Sequence, residues 1–153
     1  MIDVIYDAPG HLIRRAQQIA VALFLEETAA FEVTPPQYAA LVAIAHYPGI
    51  DQRSLANAIA IARSTIGDLV TRLELRGLVA RAAGDDRRTK SLTITPAGNE
   101  LVDRIAPKVA RAQERILTGL GAAERDQFLA MLSRLVDIHN EASRAPLARV
   151  GER

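Results

Sequence analysis

Residues 51–96 read DQRSLANAIAIARSTIGDLVTRLELRGLVARAAGDDRRTKSLTITP, and the order of patterns in this stretch constrains the fold more than any other feature of the chain. Asp51 stands where a helix cap would, ahead of Leu55, Ala56 and Ile59 on one helical face. A second helix is predicted over 63–76, with Ile66, Leu69, Val70 and Leu73 at helical spacing. Gly77 follows its last turn, where a left-handed cap without a Cβ is easily accommodated. Residues 78–81 then read as a strand, 84–88 as a charged turn, and 91–95 as a returning strand in which polar and apolar side chains alternate.

Two short helices, a strand, a turn and a second strand make a winged helix-turn-helix. The outer face of the 63–76 helix carries Arg63, Ser64, Gly67, Asp68, Thr71 and Arg72. Small, hydroxylated and guanidinium side chains can enter a major groove and hydrogen-bond phosphates and base edges. Arg87 and Arg88 sit near the hairpin tip, within reach of an adjacent minor groove or its phosphates, with Lys90 close by. Arg53, on the helix before, joins the DNA-facing set.

RSTIGDLVTRLELRGLV followed by GDDRRTKSLTITPAG resembles the MarR-type transcriptional regulators. Their pattern is a recognition helix bearing serine or threonine, an RGLV-like exit, a D-x-R wing and an LT-x-x-G corner between strand and helix. The likeness extends upstream to TPPQYAALVAIAHYPG. In that pattern the turn before the recognition helix holds a glycine and then a polar cap, whereas here Ala60 and Ala62 stand in those places, a departure that weakens the helix start by about 1 kcal/mol. A solvated helix face is the plainer reading of Arg63, Ser64, Thr65, Thr71 and Arg72; with the wing and the resemblance beside it, DNA contact is favoured. Thr65 divides between capping the helix and touching DNA. Asp68 either accepts from cytosine N4 or pairs with Arg72 four residues on, and the ion pair is the preferred reading.

At 153 residues and 49% hydrophobic side chains the chain is expected to form one domain with a core of Leu, Ile, Val and Ala, aromatics being only 4%. Cysteine is absent, which excludes disulfides, thiolate metal sites and thiol redox switching. The apolar run at 19–25 is too short to span a bilayer, and MIDVIYDAPG lacks the basic-then-apolar order of a secretory signal, so a cytoplasmic protein is expected. Net charge is only +1, but residues 51–95 hold eight basic and five acidic side chains against two and five in residues 1–50, which places the positive excess in the DNA-reading segment.

A helix is predicted over 11–30, with Pro9-Gly10 blocking its extension backwards. Thr34, Pro35 and Gln37 form a helix start with a capping box. Thr95-Pro96 repeats the cap-plus-proline signal and opens a helix to about 117, expected to bend at Pro107 rather than break. A last helix is predicted over 124–143, and the tail after Pro146 is expected to fray. The expected architecture is therefore mainly α with a small β-hairpin wing: a winged helix-turn-helix over 34–95, flanked by helices at 11–30 and 96–144 that are surplus to it. In the resembled family such helices make a dimer, which implies a homodimer presenting two recognition helices to a pseudo-palindromic operator in double-stranded DNA.

His11 and Arg15 lie four apart at the edge of the first helix's apolar stripe, where a cation and a ring could clamp an aromatic carboxylate. An ordinary helix-start histidine and interface arginine are the plainer reading. PGHLIRRAQQIAVALFLEE is similar to the opening of family members that control aromatic-acid catabolism, which implies a small aromatic carboxylate effector and adds Tyr38 and His46 to the candidate ligand contacts. His46 with Asp51 and His139 with Asp137 lack a third partner at metal-ligand spacing, so no metal or cofactor is expected. The leading expectation is a repressor relieved by an aromatic acid; the alternative is a winged-helix module that binds protein. Without a phosphate loop or nucleophile elbow, an enzyme is disfavoured.

Overall fold

The computed structural model describes residues 1–83 and 90–152; the wing-tip expectations for Arg87 and Arg88 lie outside the described residues. The order is α1 (Asp3–Tyr6), α2 (Pro9–Glu27), α3 (Pro35–His46), β1 (Ile50–Asp51), α4 (Gln52–Ala58), α5 (Arg63–Leu75), β2 (Val79–Ala83), β3 (Lys90–Ile94), α6 (Pro96–Ile116) and α7 (Ala122–Ile138), with 3-10 turns at Ala29–Phe31 and Asn140–Ala142. This is the mainly helical winged helix-turn-helix expected.

Side chains legible in the sequence start three of the helices. Thr34 and Gln37 close a reciprocal capping box, with Gln37 N donating to Thr34 Oγ1 at 3.4 Å and Thr34 N to Gln37 Oε1 at 3.0 Å. Asp51 accepts from the Ser54 backbone at 2.8 Å and from its hydroxyl at 2.7 Å. Thr95 accepts from Gly98 N at 3.1 Å and donates to the Gly77 carbonyl at 2.6 Å, tying the start of α6 to the end of α5. α6 runs unbroken through Pro107.

β2 and β3 pair antiparallel, Arg81 opposite Leu92, and β1 adds a third strand through Ile50 opposite Leu92. Leu41, Ile44, Leu55, Ile66, Val70, Leu73 and Leu92 are fully buried between the winged-helix elements; each such side chain contributes about 1.5–3 kcal/mol on leaving water. A second core of Phe24, Val33, Ile105 and Val109 joins α2 to α6. The same pair is bridged outside by Arg115, which reaches Glu26 at 2.8 Å and Glu27 at 3.0 Å, with Arg111 at 3.4 Å from Glu27.

Several expectations need correction. α2 starts at Pro9 itself, because a proline in the first turn gives up an N–H that no helix there could use. α1 and β1 were not anticipated, both being too short to carry a periodic signal. The last α-helix ends at Ile138, five residues early, and continues as a 3-10 turn. The tail after Pro146 is docked rather than frayed: Leu147 N donates to Asn140 Oδ1 at 2.9 Å, Asn140 Nδ2 returns to Leu147 O at 3.0 Å, and Ala148 N donates to Asn57 O on α4 at 3.0 Å. No helix among the described residues is long and apolar enough to cross a membrane.

Candidate nucleic-acid interface

α5 divides sharply into two faces. Ile66, Leu69, Val70 and Leu73 are sunk in the core, whereas Arg63, Ser64, Thr65, Asp68, Thr71 and Arg72 are all exposed on the other side. The burial is what holds the polar side outward, since rotating the helix would move four apolar side chains into water at about 1.5–3 kcal/mol each. Arg53 is exposed in the first turn of α4, and Lys90 is exposed where β3 begins.

Both helices of the motif end in the same closing geometry. At the end of α5, Gly77 takes φ 71°, its N–H donates to Glu74 O at 2.8 Å, and Leu78 N reaches back to Leu73 O at 3.0 Å. At the end of α4 the equivalent bonds run from Ala60 N to Asn57 O at 3.3 Å and from Ile61 N to Ala56 O at 2.9 Å. There the left-handed residue is Ala60, at φ 54°, so the place where the resembled pattern has glycine does require glycine's geometry. Ala62 then takes cap dihedrals, φ −60° and ψ 139°, with no side chain to satisfy the first N–H groups of α5.

Asp68 and Arg72 form the ion pair preferred from their spacing, Arg72 Nε to Asp68 Oδ2 at 3.0 Å. Each is about two-thirds exposed, 70% and 67%, so the pair adds little stability. Its consequence is for charge: the carboxylate offsets that of Arg72.

Two arginines that sequence reasoning passed over shape this surface. Arg76 closes α5 by donating to the carbonyls of Glu32 at 2.8 Å and Phe31 at 3.0 Å, which fastens the recognition helix to the corner between α2 and α3. The Phe31 ring in turn lies 5.5 Å beneath the Arg104 guanidinium of α6. Arg81, on β2, reaches under α5 to the Thr71 hydroxyl at 2.9 Å. The only hint in the sequence was an arginine within a strand of otherwise small and apolar side chains.

The four candidate ligand contacts engage different partners. His11 is half-buried, with Nδ1 3.2 Å from Arg14 Nη2 and its ring 5.9 Å from that of Tyr6, so its cationic neighbour is Arg14, while Arg15 is exposed one turn on. Tyr38 is half-buried against Phe24, ring centres 6.2 Å apart, and His46 stands edge-on to Tyr47 at 4.6 Å. No hydrogen bond, ion pair or ring contact among the described residues joins these groups. An open groove of 1010 Å³ lies elsewhere, between α2, α7 and the tail, lined by Ile13, Ala60, Leu132, Leu135, His139 and Leu147 among others.

Residues 31–89 match the model of the MarR family. The chain is 31% identical over 134 residues to the HTH-type transcriptional repressor NicR of Pseudomonas putida, covering 87% of this chain and 85% of NicR. Its fold superposes on that of the transcriptional repressor CouR bound to a 23-mer DNA duplex with a TM-score of 0.82, at 30% identity, covering 89% of this chain and 97% of the other. It superposes likewise on BpsR of Bordetella bronchiseptica, whose DNA binding is regulated by 6-hydroxynicotinic acid, with a TM-score of 0.81, 30% identity and coverage of 86% and 94%.

Proposed function

From the premise that this chain belongs to the MarR family of transcriptional regulators, we propose that it is a homodimeric, sequence-specific DNA-binding repressor released by a small aromatic carboxylate. The observation that carries the DNA reading is the two-faced α5: four side chains anchored in the core, and Arg63, Ser64, Thr65, Asp68, Thr71 and Arg72 standing in solvent. Arg53 and Lys90, both exposed, are assigned to the same interface, and Arg87 and Arg88, outside the described residues, are assigned to it from the sequence. The likeness to CouR, a repressor described on duplex DNA, supports the same assignment.

Dimerisation is supported by apolar surface that the single chain leaves open. None of the residues of α7, all of them described, is buried, and Phe128, Leu129, Leu132, Leu135, Val136 and Ile138 are exposed along it. Ile5, Leu12, Ile13 and Ile19 are exposed on α1 and α2, and Ile2 just ahead of α1. Contiguous apolar surface of this kind marks an association site, and a second copy would cover it by two-fold symmetry. Residues 11–30 and 96–144 then form the dimer scaffold around the 34–95 reading unit, whose two copies would meet a pseudo-palindromic operator at half-sites roughly 34–36 Å apart.

The effector reading draws on BpsR and on His11, Arg15, Tyr38 and His46, which a second copy would have to help assemble. A ligand can shift the DNA-competent geometry only by as much as its affinity differs between the two states. A thermal-shift panel of benzoates, hydroxybenzoates and nicotinates tests it: stabilisation that persists in a protein carrying both His11→Ala and Arg15→Ala removes those two from the site. The DNA reading is tested by selecting duplexes from a random pool and titrating salt. Affinity should fall linearly on log axes with a slope of about −0.9 per phosphate neutralised; failure to retain any duplex at low ionic strength would refute it.

A further inference from the structure

Arg81 is mostly withdrawn from solvent, its side chain 20% exposed, and it runs beneath one stripe of the recognition helix. Nη2 donates to Thr71 Oγ1 at 2.9 Å and stands 3.5 Å from the Gly67 carbonyl, while Nε lies 3.6 Å from Glu74 Oε2. Gly67, Thr71 and Glu74 are spaced four and three apart, so a single guanidinium follows the helix for two turns. Its Nε is buried without a hydrogen bond, the carboxylate of Glu74 being near enough for attraction but not for a bond.

The contact with Thr71 has a chemical consequence. A threonine inside a helix ordinarily turns its hydroxyl hydrogen back to the carbonyl four residues earlier, here Gly67. Arg81 instead occupies a lone pair of the Thr71 oxygen and brings a second donor toward that same carbonyl. The hydroxyl of an exposed Thr71 is thereby left with its hydrogen to give.

We propose that Arg81 is a positioning residue that keeps the Thr71 hydroxyl hydrogen free to donate on the side of α5 proposed to face DNA. Thr71 then reads acceptors: a phosphate oxygen, purine N7, guanine O6 or thymine O4. The inference deepens the DNA-binding reading and depends on it. Removing the guanidinium frees the Gly67 carbonyl, the Thr71 hydrogen turns inward, and the donor is withdrawn from DNA although Arg81 itself touches none.

A double-mutant cycle on the duplex that binds the wild-type protein best, chosen from a pool with a randomised core, tests this. Thr71→Val should weaken binding by roughly tenfold, the loss of one hydrogen bond to a charged or strongly accepting partner, whereas Thr71→Ser should stay within about twofold. Arg81→Met, which keeps the aliphatic stem, should lose about as much as Thr71→Val, and the double variant no more than either alone. The salt slope of Arg81→Met should match that of the wild type. If Arg81→Met does not fold, Arg81→Leu, which likewise removes every donor, takes its place in the cycle. Losses that multiply in the double variant, a Thr71→Val protein that binds like the wild type, or an Arg81 variant whose slope flattens by one phosphate would each overturn the proposal. If the wild type selects no duplex at all, the regulator reading itself has failed, a result distinct from any of these.

Discussion

Replacing Ala60 by glycine should stabilise the protein, although it deletes a side chain. Ala60 holds the left-handed position that closes α4, at φ 54°, where a Cβ costs about 1–2 kcal/mol. Glycine removes that cost and returns about 0.5–1 kcal/mol through the greater freedom of the unfolded chain. The methyl group is exposed at the rim of the groove beside Ile13, so little packing is lost with it. The net gain is about 0.5–1 kcal/mol, the reverse of placing alanine at a site with positive φ. In urea unfolding at fixed protein concentration the midpoint should rise with an unchanged slope, and the melting temperature should rise by about 2 °C. Ala62→Ser, two residues on, supplies the missing acceptor at the start of α5 and should add about 1 kcal/mol. An Ala60→Gly protein with an equal or lower midpoint would show that the methyl's contacts in the groove outweigh backbone strain, and the account of this turn would be wrong.

Gly98→Ala should lose about 1–3 kcal/mol in the same assay, the usual cost of overpacking, because a Cβ there would overlap the backbone carbonyl of Leu78 and the side chain of Ile94. Arg76→Ala removes both bonds to the corner at Phe31 and Glu32; the side chain is exposed, so the loss should be about 1 kcal/mol, read as a lower urea midpoint. Burial pushes the Asp51 carboxyl up, but the hydroxyl and backbone bonds from Ser54 outweigh it and hold the group below its ordinary value of 3.8. A depressed acid contributes stability above its unfolded value that is lost as pH falls through the folded one. The urea midpoint should therefore drop more steeply below about pH 4 in the wild type than in Asp51→Asn. Leu135→Asp places a charge in the exposed apolar strip of α7, and sedimentation should show a monomer where the wild type sediments as a dimer.

What was legible in the sequence was whatever a short window decides. Thr34, Asp51, Thr95 and Gly77 act on backbone groups within three or four residues, and each caps its helix as its chemistry predicts. The two faces of α5 follow from spacing alone, and so does the Asp68–Arg72 pair. Glycine's absence at residue 60 was visible as a departure from a pattern; that the backbone nonetheless adopts glycine's conformation was not, because tertiary packing imposes the turn on the residue present.

What a short window could not show depends on partners far along the chain. Arg76 meets carbonyls 44 and 45 residues away, and Arg115 meets carboxylates 88 and 89 away. Arg81 was read as one more residue of a strand, yet it is the strand's position beneath α5 that turns it into a partner for Thr71. The docked tail is the same case, since Asn140 and Asn57 announce nothing until the tail has been brought against both. The Arg76 bonds and the docked tail lie where the winged helix meets the rest of the chain, and they add to the core packing of α5 contacts that periodicity passes over. A change in the flanking helices can reach α5 through such contacts and through the core shared at Leu101. Substitutions at Arg76 and Arg81 therefore change how the helix is held, whereas substitutions at Arg63 or Arg72, exposed on its outer face, test the proposed DNA contact itself.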